Sequence, residues 1–351
     1  MSLFAKKILG IDIGVSSIKM AEVSFSGEKR KLENYIEFKL PRNSDSPDSI
    51  KTFYGQGALL LSNKVPDILQ EVIKKAKIKV KKVSFAIPDF STFFTTFDLP
   101  PMTETEVPQA IEFEARHHIP LPLEEVTFDW QIIKREEVSP GVKLKVLLVA
   151  VPNKVLQSYQ KVATLCNFEV QGMEAEVFGL IRSAIIGGKY WGPVCLIDIG
   201  WQSTTISIVD KKMLQLSHSF DISGTGLTKT LSQTLNITEA EAEELKRKNG
   251  LDPNNPKVAQ ILTKELSSLA VEVEKIYKGF EKSSGKKVNA IILTGGTAAM
   301  FGIREYLEGY LKKQVNNVNP FASLEYPPVL KDRLDSMAPS FAVAVGVAMM
   351  D

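Results

Sequence analysis

Cysteine is scarce in this chain of 351 residues: Cys166 and Cys195 are the two. They stand far apart, each in an apolar run, which speaks against a disulfide framework and for buried free thiols in a reducing cytosol. Histidine is nearly as scarce, with three, and no Cys/His cluster has metal-ligand spacing. His117 and His118 are adjacent, so on a helix they point to different faces and cannot chelate as an i, i+4 pair would. Charge of one sign is missing too. Lys and Arg total 43 against 41 Asp and Glu, a net +2 that lacks the strongly basic footprint of a nucleic-acid binder. No apolar run reaches the roughly 18 residues of a membrane span. The N-terminal MSLFAKKILGIDIG is short, is broken by Asp12, and has no secretory pattern. The expectation is a soluble cytoplasmic protein with no direct membrane span and no nucleic-acid partner, held at any membrane by something else.

What is present is an echo. Residues 8–23 read ILGIDIGVSSIKMAEV and residues 194–209 read VCLIDIGWQSTTISIV. Each is an apolar strand ending in Ile-Asp-Ile-Gly, a small-polar turn and a return strand, which is a β-hairpin signature. One hairpin in each half predicts two related domains. Between them, Val65, Ile68, Leu69, Val72, Ile73 and Ala76 make a helical stripe, and so do Val155, Leu156, Tyr159, Val162 and Ala163. VSFAIP at 83–88 and the continuous apolar run 144–151 read as strands, the second buried on both faces. In 103–119, Thr103 and Glu106 fit a capping box, but Pro108 would then lose an internal hydrogen bond, so a start at Thr105 is preferred. Further on, Thr238 caps a helix that Asn249-Gly250 ends, and a long helix follows with Ile261, Leu262, Leu266, Leu269, Val273, Ile276, Tyr277 and Phe280 on one face. The strand 288–294 runs into Gly295-Gly296, and the chain closes on a short apolar helix with a small-residue face. The order predicts a mixed α/β protein with a cleft between two halves.

The chemistry these pieces suit is nucleotide binding. Phosphates want inward-pointing backbone N–H groups, magnesium wants one or two carboxylates and keeps waters, and a base slot wants backbone that can approach closely. The first hairpin offers Asp12, then Gly14, Val15, Ser16 and Ser17 in the turn and Lys19 on the return strand. The second offers Asp198, then Gly200, Ser203, Thr204 and Thr205. Alone, an aspartate beside a glycine turn is ordinary hairpin chemistry; two facing copies make a clamp in which Asp12 and Asp198 hold Mg2+ through water. A third loop, Gly295-Gly296-Thr297, meets a helix N-terminus, which favours anions, although a Gly-Gly pair also serves as a plain strand-to-helix turn. Glu243 and Lys246 are i, i+3 neighbours that can bracket a ribose and a base edge or form a solvated surface pair.

Together these residues resemble the actin/Hsp70/hexokinase superfamily. Its five motifs follow in order: a first phosphate loop (Asp12 to Lys19), a first connecting helix (about 171–187), a second phosphate loop (Asp198 to Thr205), an adenosine loop (Gly295 to Ile303) and a second connecting helix (about 340–350). Within it, AIEFEARHHIPLPLEEVTFDWQI (110–132), VLLVAVPNKVLQSYQKVA (146–163), EVQGMEAEVFGLIRSA (169–184) and ISGTGLTKTLSQTLNITEAEAEELKR (222–247) are similar to the PilM family of type IV pilus assembly proteins, relatives of FtsA.

The resemblance implies an actin-like ATPase fold, two RNase H-like duplicated domains with an FtsA-type 1C insertion. Subdomain 1A would comprise 1–83, 169–190 and 338–351, the insertion 84–168, and the second domain 191–337, with its smaller 2B part at about 222–287; Gly224, at its entry, is counted among the implied nucleotide-binding residues. The implied cofactors are ATP and Mg2+. The implied partners are the cytoplasmic N-terminal tail of the inner-membrane protein PilN, bound in a groove between 1A and 1C, and other pilus components including motor ATPases, with oligomerisation open. The protein would be cytoplasmic and recruited to the inner membrane through PilN; the chain stops at Asp351 without the membrane-binding helix that ends FtsA. Superfamily ATPases orient the attacking water from the first connecting helix, which brings forward Glu174 and Glu176. Trp201 and Gln202, bulky residues in the second phosphate loop, point to slow turnover. The other readings are an FtsA-like filament-forming ATPase, a sugar or acetate kinase of the superfamily, and the related cytoplasmic domain of the secretion protein GspL. Phe93, Phe94, Phe97 and Leu99 are dense in apolar surface for one strand, which suits either a partner groove in the insertion or simple coverage of both strand faces.

Overall fold

The computed structural model describes residues 6–40, 64–103, 105–137, 142–185, 190 and 192–350. β1 (Lys6–Ile13) turns back onto β2 (Ser17–Ser26), which pairs with β3 (Lys29–Lys39), all antiparallel. After α1 (Val65–Lys75), β4 (Lys82–Ile87) joins the free side of β1 in parallel. The chain then leaves the sheet. β5 (Phe93–Leu99), α2 (Val107–His118), β6 (Val126–Glu137) and β7 (Val142–Pro152) build a separate antiparallel sheet in the order β5-β7-β6. α3 (Asn153–Leu165) returns it to β8 (Glu169–Ala175), which pairs with β4 and completes the order β3-β2-β1-β4-β8.

The second half begins after α4 (Glu176–Ile185). β9 (Val194–Ile199), β10 (Thr204–Asp210) and β11 (Met213–Phe220) repeat the antiparallel trio. Three helices follow: α5 (Gly224–Leu235), α6 (Glu239–Asn249) and α7 (Pro256–Ser284). β12 (Ala290–Thr294), α8 (Ile303–Leu311) and β13 (Val315–Asn317) finish a sheet ordered β11-β10-β9-β12-β13, strand for strand the topology of the first. α9 (Lys331–Ala348) closes the described chain. The Ile-Asp-Ile-Gly echo is thus a duplication of a whole domain, and the fold is the actin-like one expected.

Packing shows why the elements lie where they do. The stripe on α1 and that on α3 bury Leu69, Val72, Tyr159 and Val162 against Leu9, Ile11 and Phe85 of the first sheet. Each such apolar side chain contributes about 1.5–3 kcal/mol on full burial. α4 and α9 fill the space between the sheets, joining Val177, Leu180, Val343 and Val347 to Leu196 and Ile292. At their closest point main chain meets main chain: a Cβ on Gly346 would lie 2.0 Å from the Gly179 carbonyl oxygen. Cys195 is buried and Cys166 half-buried, and burial pushes their thiols up to about 12 and about 11. Among the described residues no helix is long and apolar enough to cross a membrane.

Several expectations are corrected. The segment 84–168 contains β4 and α3, which belong to the first sheet and its core, so the separately folded insertion is the narrower stretch from β5 to β7. Residues 169–175 are the strand β8 and not the start of a connecting helix, because they pair in parallel with β4; of the expected 171–187, residues 186 and 187 lie outside the description. α9 is longer than 340–350, since Pro339 is carried inside the helix. The later start of α2 is what the structure has, with Pro108 in its first turn, while Thr103 and Glu106 still bond to each other in the turn before it. The apolar faces of α5, α6 and α7 join the core of the second sheet, and the expected 2B part lies within that domain. The aromatic strand β5 is covered on both sides: Phe93, Phe97 and Leu99 pack toward α2, and Phe94 lies 6.4 Å from Phe178 on the other face. Its apolar density is therefore core, and no longer points to a groove.

Candidate functional site

The two hairpins close with the same backbone geometry. Gly14 N donates to Ser17 O at 3.1 Å, and Gly200 N donates to Ser203 O at 2.9 Å. The bulky Trp201 and Gln202 leave the second turn undistorted. The register sets Asp12 opposite Lys19 and Asp198 opposite Thr205, so the two carboxylates occupy equivalent places at the ends of β1 and β9. Lys19 Nζ lies 3.8 Å from Asp12 Oδ2.

Both loops open into one cleft of about 400 Å3 between the halves. It is lined by Asp12, Gly14, Ser16, Ser17 and Lys19 from the first hairpin and by Asp198, Gly200, Ser203 and Thr205 from the second. Gly295, Gly296 and Thr297 line it from the turn after β12, and Glu243 and Lys246 from α6. Two expected residues stand behind the wall. Thr204 points to the other side of β10, where its hydroxyl donates to Ile222 O at 2.6 Å. Gly224 starts α5, and its N–H donates to Gly200 O at 3.0 Å, tying that helix to the second phosphate loop.

The glycine pair divides its labour. Gly295 has φ +92°, and a Cβ there would fall 2.4 Å from Asp198 Oδ1; at Gly296 a Cβ would meet nothing within 4 Å. Gly295 is required by the turn, whereas Gly296 borders open cleft. Gly295 N and the Thr294 hydroxyl both donate to Pro339 O at 3.0 Å, binding this loop to α9.

Glu243 and Lys246 are no surface pair: each is 5 % exposed. Lys246 Nζ reaches Glu243 Oε2 at 2.7 Å, donates to Gly224 O at 2.7 Å, and sits 5.4 Å from the Trp201 ring centre. Arg247 holds the other Glu243 oxygen at 2.7 Å. Burial opposes the Glu243 charge, but Lys246, Thr228 and Arg247 bonded to its carboxylate bring the pKa below the ordinary value.

Of the two acids expected on the first connecting helix, one reaches the cleft. Glu174 lies on β8, locked to Arg182 at 2.6 and 2.8 Å, which makes it a structural ion pair. Glu176 begins α4, lines the cleft, and accepts from Asp89 N at 3.2 Å. Burial, then Asp12, Asp89 and Asp198, push its carboxyl well above the usual range. Burial and Asp12 likewise push Asp198 up to about 6.

The sequence reading missed Glu37 and Lys39 on β3, Phe90 in the turn after β4, Arg247, and Ser336, Met337 and Ser340 on α9. The signal for the first two was the register: Glu37 lies opposite Lys19 and Lys39 opposite Ser17.

A magnesium nucleotide fits these residues. Asp12 is buried and Asp198 and Glu176 half-buried around one space, and desolvation raises the carboxyl of each, a penalty that a divalent cation would relieve. Among the described residues no group of three or more His, Cys, Asp or Glu side chains forms a metal cage. Asp12 and Asp198 suit an ion that keeps its waters, and such an ion would supply charge neutralisation for phosphates.

Comparison with known proteins agrees with this geometry. The cell division protein FtsA of Streptococcus pneumoniae serotype 2 (strain D39 / NCTC 7466) is 23% identical over 260 residues, 69% of this chain but 55% of that protein. The chain thus spans little more than half the length of that curated relative. A chain of the solved "PilM-PilN type IV pilus biogenesis complex" superposes with TM-score 0.83 at 20% identity, covering 97% of each. MreB5 of Spiroplasma citri bound to ADP gives 0.53 at 12% identity, covering 97% of this chain and 94% of that one. These likenesses establish the fold. The family described as Type IV pilus assembly protein PilM matches residues 10–351, nearly the whole sequence, and it is to this family that the chain belongs.

Proposed function

We propose that this protein is an ATP-binding scaffold of a type IV pilus machine, which binds the cytoplasmic N-terminal tail of PilN and links it to the cytoplasmic motor. The observation that carries the nucleotide part is the pair of hairpins with the same Ile-Asp-Ile-Gly core, each presenting an aspartate and a glycine turn to one cleft. Asp12 and Asp198 hold Mg2+ through water, the two turns cradle the phosphates, and the Gly295–Thr297 loop with Glu243, Lys246 and Arg247 takes the nucleoside. Glu176 orients the water that attacks the terminal phosphate. Turnover is slow, and the bound nucleotide sets the closure of the two halves. Family membership and the likeness to the PilM-PilN complex support the partner, in a groove between the first domain and the insertion. The protein is cytoplasmic and reaches the inner membrane through that tail.

The test is calorimetry with Mg-ATP on folded wild type, Asp12→Ala and Asp198→Ala, and capture by an immobilised PilN-like tail with and without ATP. Each alanine variant is expected to bind ATP at least about tenfold more weakly, the equivalent of about 1.4 kcal/mol. Unchanged affinity in both would remove the clamp. Failure of the tail to bind in either nucleotide state would remove the partner assignment while leaving the cleft intact.

A further inference from the structure

Six lysines fall within the nine residues 74–82, at the join between α1 and β4. All are exposed. Lys75 is taken by Glu71 at 2.5 Å, whereas Lys74, Lys77, Lys79, Lys81 and Lys82 have no ion-pair partner among the described residues. The acids near this end are Glu71, Glu169, which lies opposite Lys82 in the β4–β8 ladder, and Glu22 and Glu33, which Lys7 and Lys31 already engage. Lys77 ends α1 in a left-handed turn (φ +56°), and the link runs on through 78–81 with Ile78 buried and Val80 half-buried between Lys77, Lys79 and Lys81. The apolar side chains are withdrawn from solvent and the three lysines are exposed.

This strip lies at the start of β4, while Asp89 and the cleft lie beyond its other end. The parallel register of β1 with β4, Leu9 opposite Val83, brings Lys6 to the same end as the strip, and Lys6 is exposed as well. The molecule carries a net +2, so a local surplus of this size is a concentration of charge at that end.

The chemistry of the strip selects the anion it meets. Residues 74–82 contain no aromatic ring on which a base stacks and no arginine to fork a phosphate. They offer hydrated point charges on flexible stems, spread along the segment, which suits a laterally extended anionic surface. We propose that the Lys74–Lys82 strip docks directly on anionic phospholipid, leaving the nucleotide cleft uncovered at the opposite end of the same strands. This does not depend on the nucleotide reading, because the strip shares no residue with the cleft.

The experiment is flotation of the purified full chain, without nucleotide or partner, with phosphatidylglycerol-rich vesicles and with pure phosphatidylcholine vesicles, at low and at physiological salt. The expected result is binding to the anionic vesicles only, weakened by salt. Each lysine near such a surface is worth about fivefold in partitioning. K77E/K79E/K81E is therefore expected to lose more than about tenfold, with an unchanged circular dichroism spectrum, and K77R/K79R/K81R to retain binding. Equal binding to neutral vesicles, full binding by the charge-reversed variant, or no flotation of the wild type would overturn the proposal. So would retention of single-stranded or duplex DNA in place of vesicles, which would assign the strip to nucleic acid.

Discussion

Asp89 occupies the turn where the chain leaves the first sheet for the insertion, and it serves both sides of that turn. Its Oδ1 accepts from Val177 N at 3.1 Å, capping α4, while its own N–H donates to Glu176 at 3.2 Å. Its other oxygen has no hydrogen-bond partner. Burial, with the Asp198 charge adding to it, pushes the carboxyl from 3.8 up to about 8. Between those values the folded protein holds a proton that the unfolded chain has released, so this group's contribution to stability falls as pH rises from about 4 to about 8. Asp89→Asn keeps an acceptor for Val177 and cannot ionise. Denaturant midpoints measured at pH 5 and pH 8.5 should therefore differ less in this variant than in the wild type. An equal difference in both proteins would mean that Asp89 is ionised in the fold, its burial notwithstanding.

The turn after β12 and the inserted sheet make predictions at the level of elements. Gly295→Ala places a methyl on Asp198 in a left-handed backbone and should destabilise the fold by about 1–3 kcal/mol. Gly296→Val points into open cleft, so the fold should survive while ATP binding is lost; thermal melts and calorimetry separate the two. Normal ATP binding by folded Gly296→Val would mean the loop is not the nucleoside site. Excising the insertion is a different matter. Leu147, Ile133 and Phe94 cover a face that includes Phe178, Val209 and Leu214 of the neighbouring elements, so a deletion should lower the melting temperature and expose dye-binding surface. A deletion that melts like the wild type would show that the insertion is an independent appendage. Much of this was legible in the sequence, because a hairpin, a Gly-Gly turn and the Thr238 capping box are written in consecutive residues. What escaped depends on tertiary closure. Glu37 and Lys39 enter the cleft because β3 pairs with β2, Arg247 because α6 folds over Trp201, and the 336–340 segment because α9 runs through Pro339. β8 was misread as helix because an edge strand in a parallel sheet, half-exposed, shows no clean alternation. Asp89 carried no local mark at all: its meaning comes from α4, 87 residues on.

At the scale of the whole molecule, the cleft is walled by both halves, and its acids come from both. Turnover by the isolated protein should be well below the common range of about 1–10³ per second, since Glu176, the acid that would orient the water, already has one carboxylate oxygen engaged by Asp89 N at 3.2 Å. Steady-state phosphate release of several per second, abolished by Glu176→Gln, would show that the nucleotide is fuel and not a structural ligand. If bound nucleotide sets the closure of the two halves, as proposed, the joint is where α4 meets α9, and there Gly179 and Gly346 bring main chain against main chain. A meshed contact of large side chains has to change rotamers, one after another, before its helices can slip. At the Gly179–Gly346 contact there are no such teeth, and a tie across it is a hydrogen bond, Arg182 to Gly346 O at 2.8 Å, so a small rotation of one helix on the other needs no large side chain to clear that point.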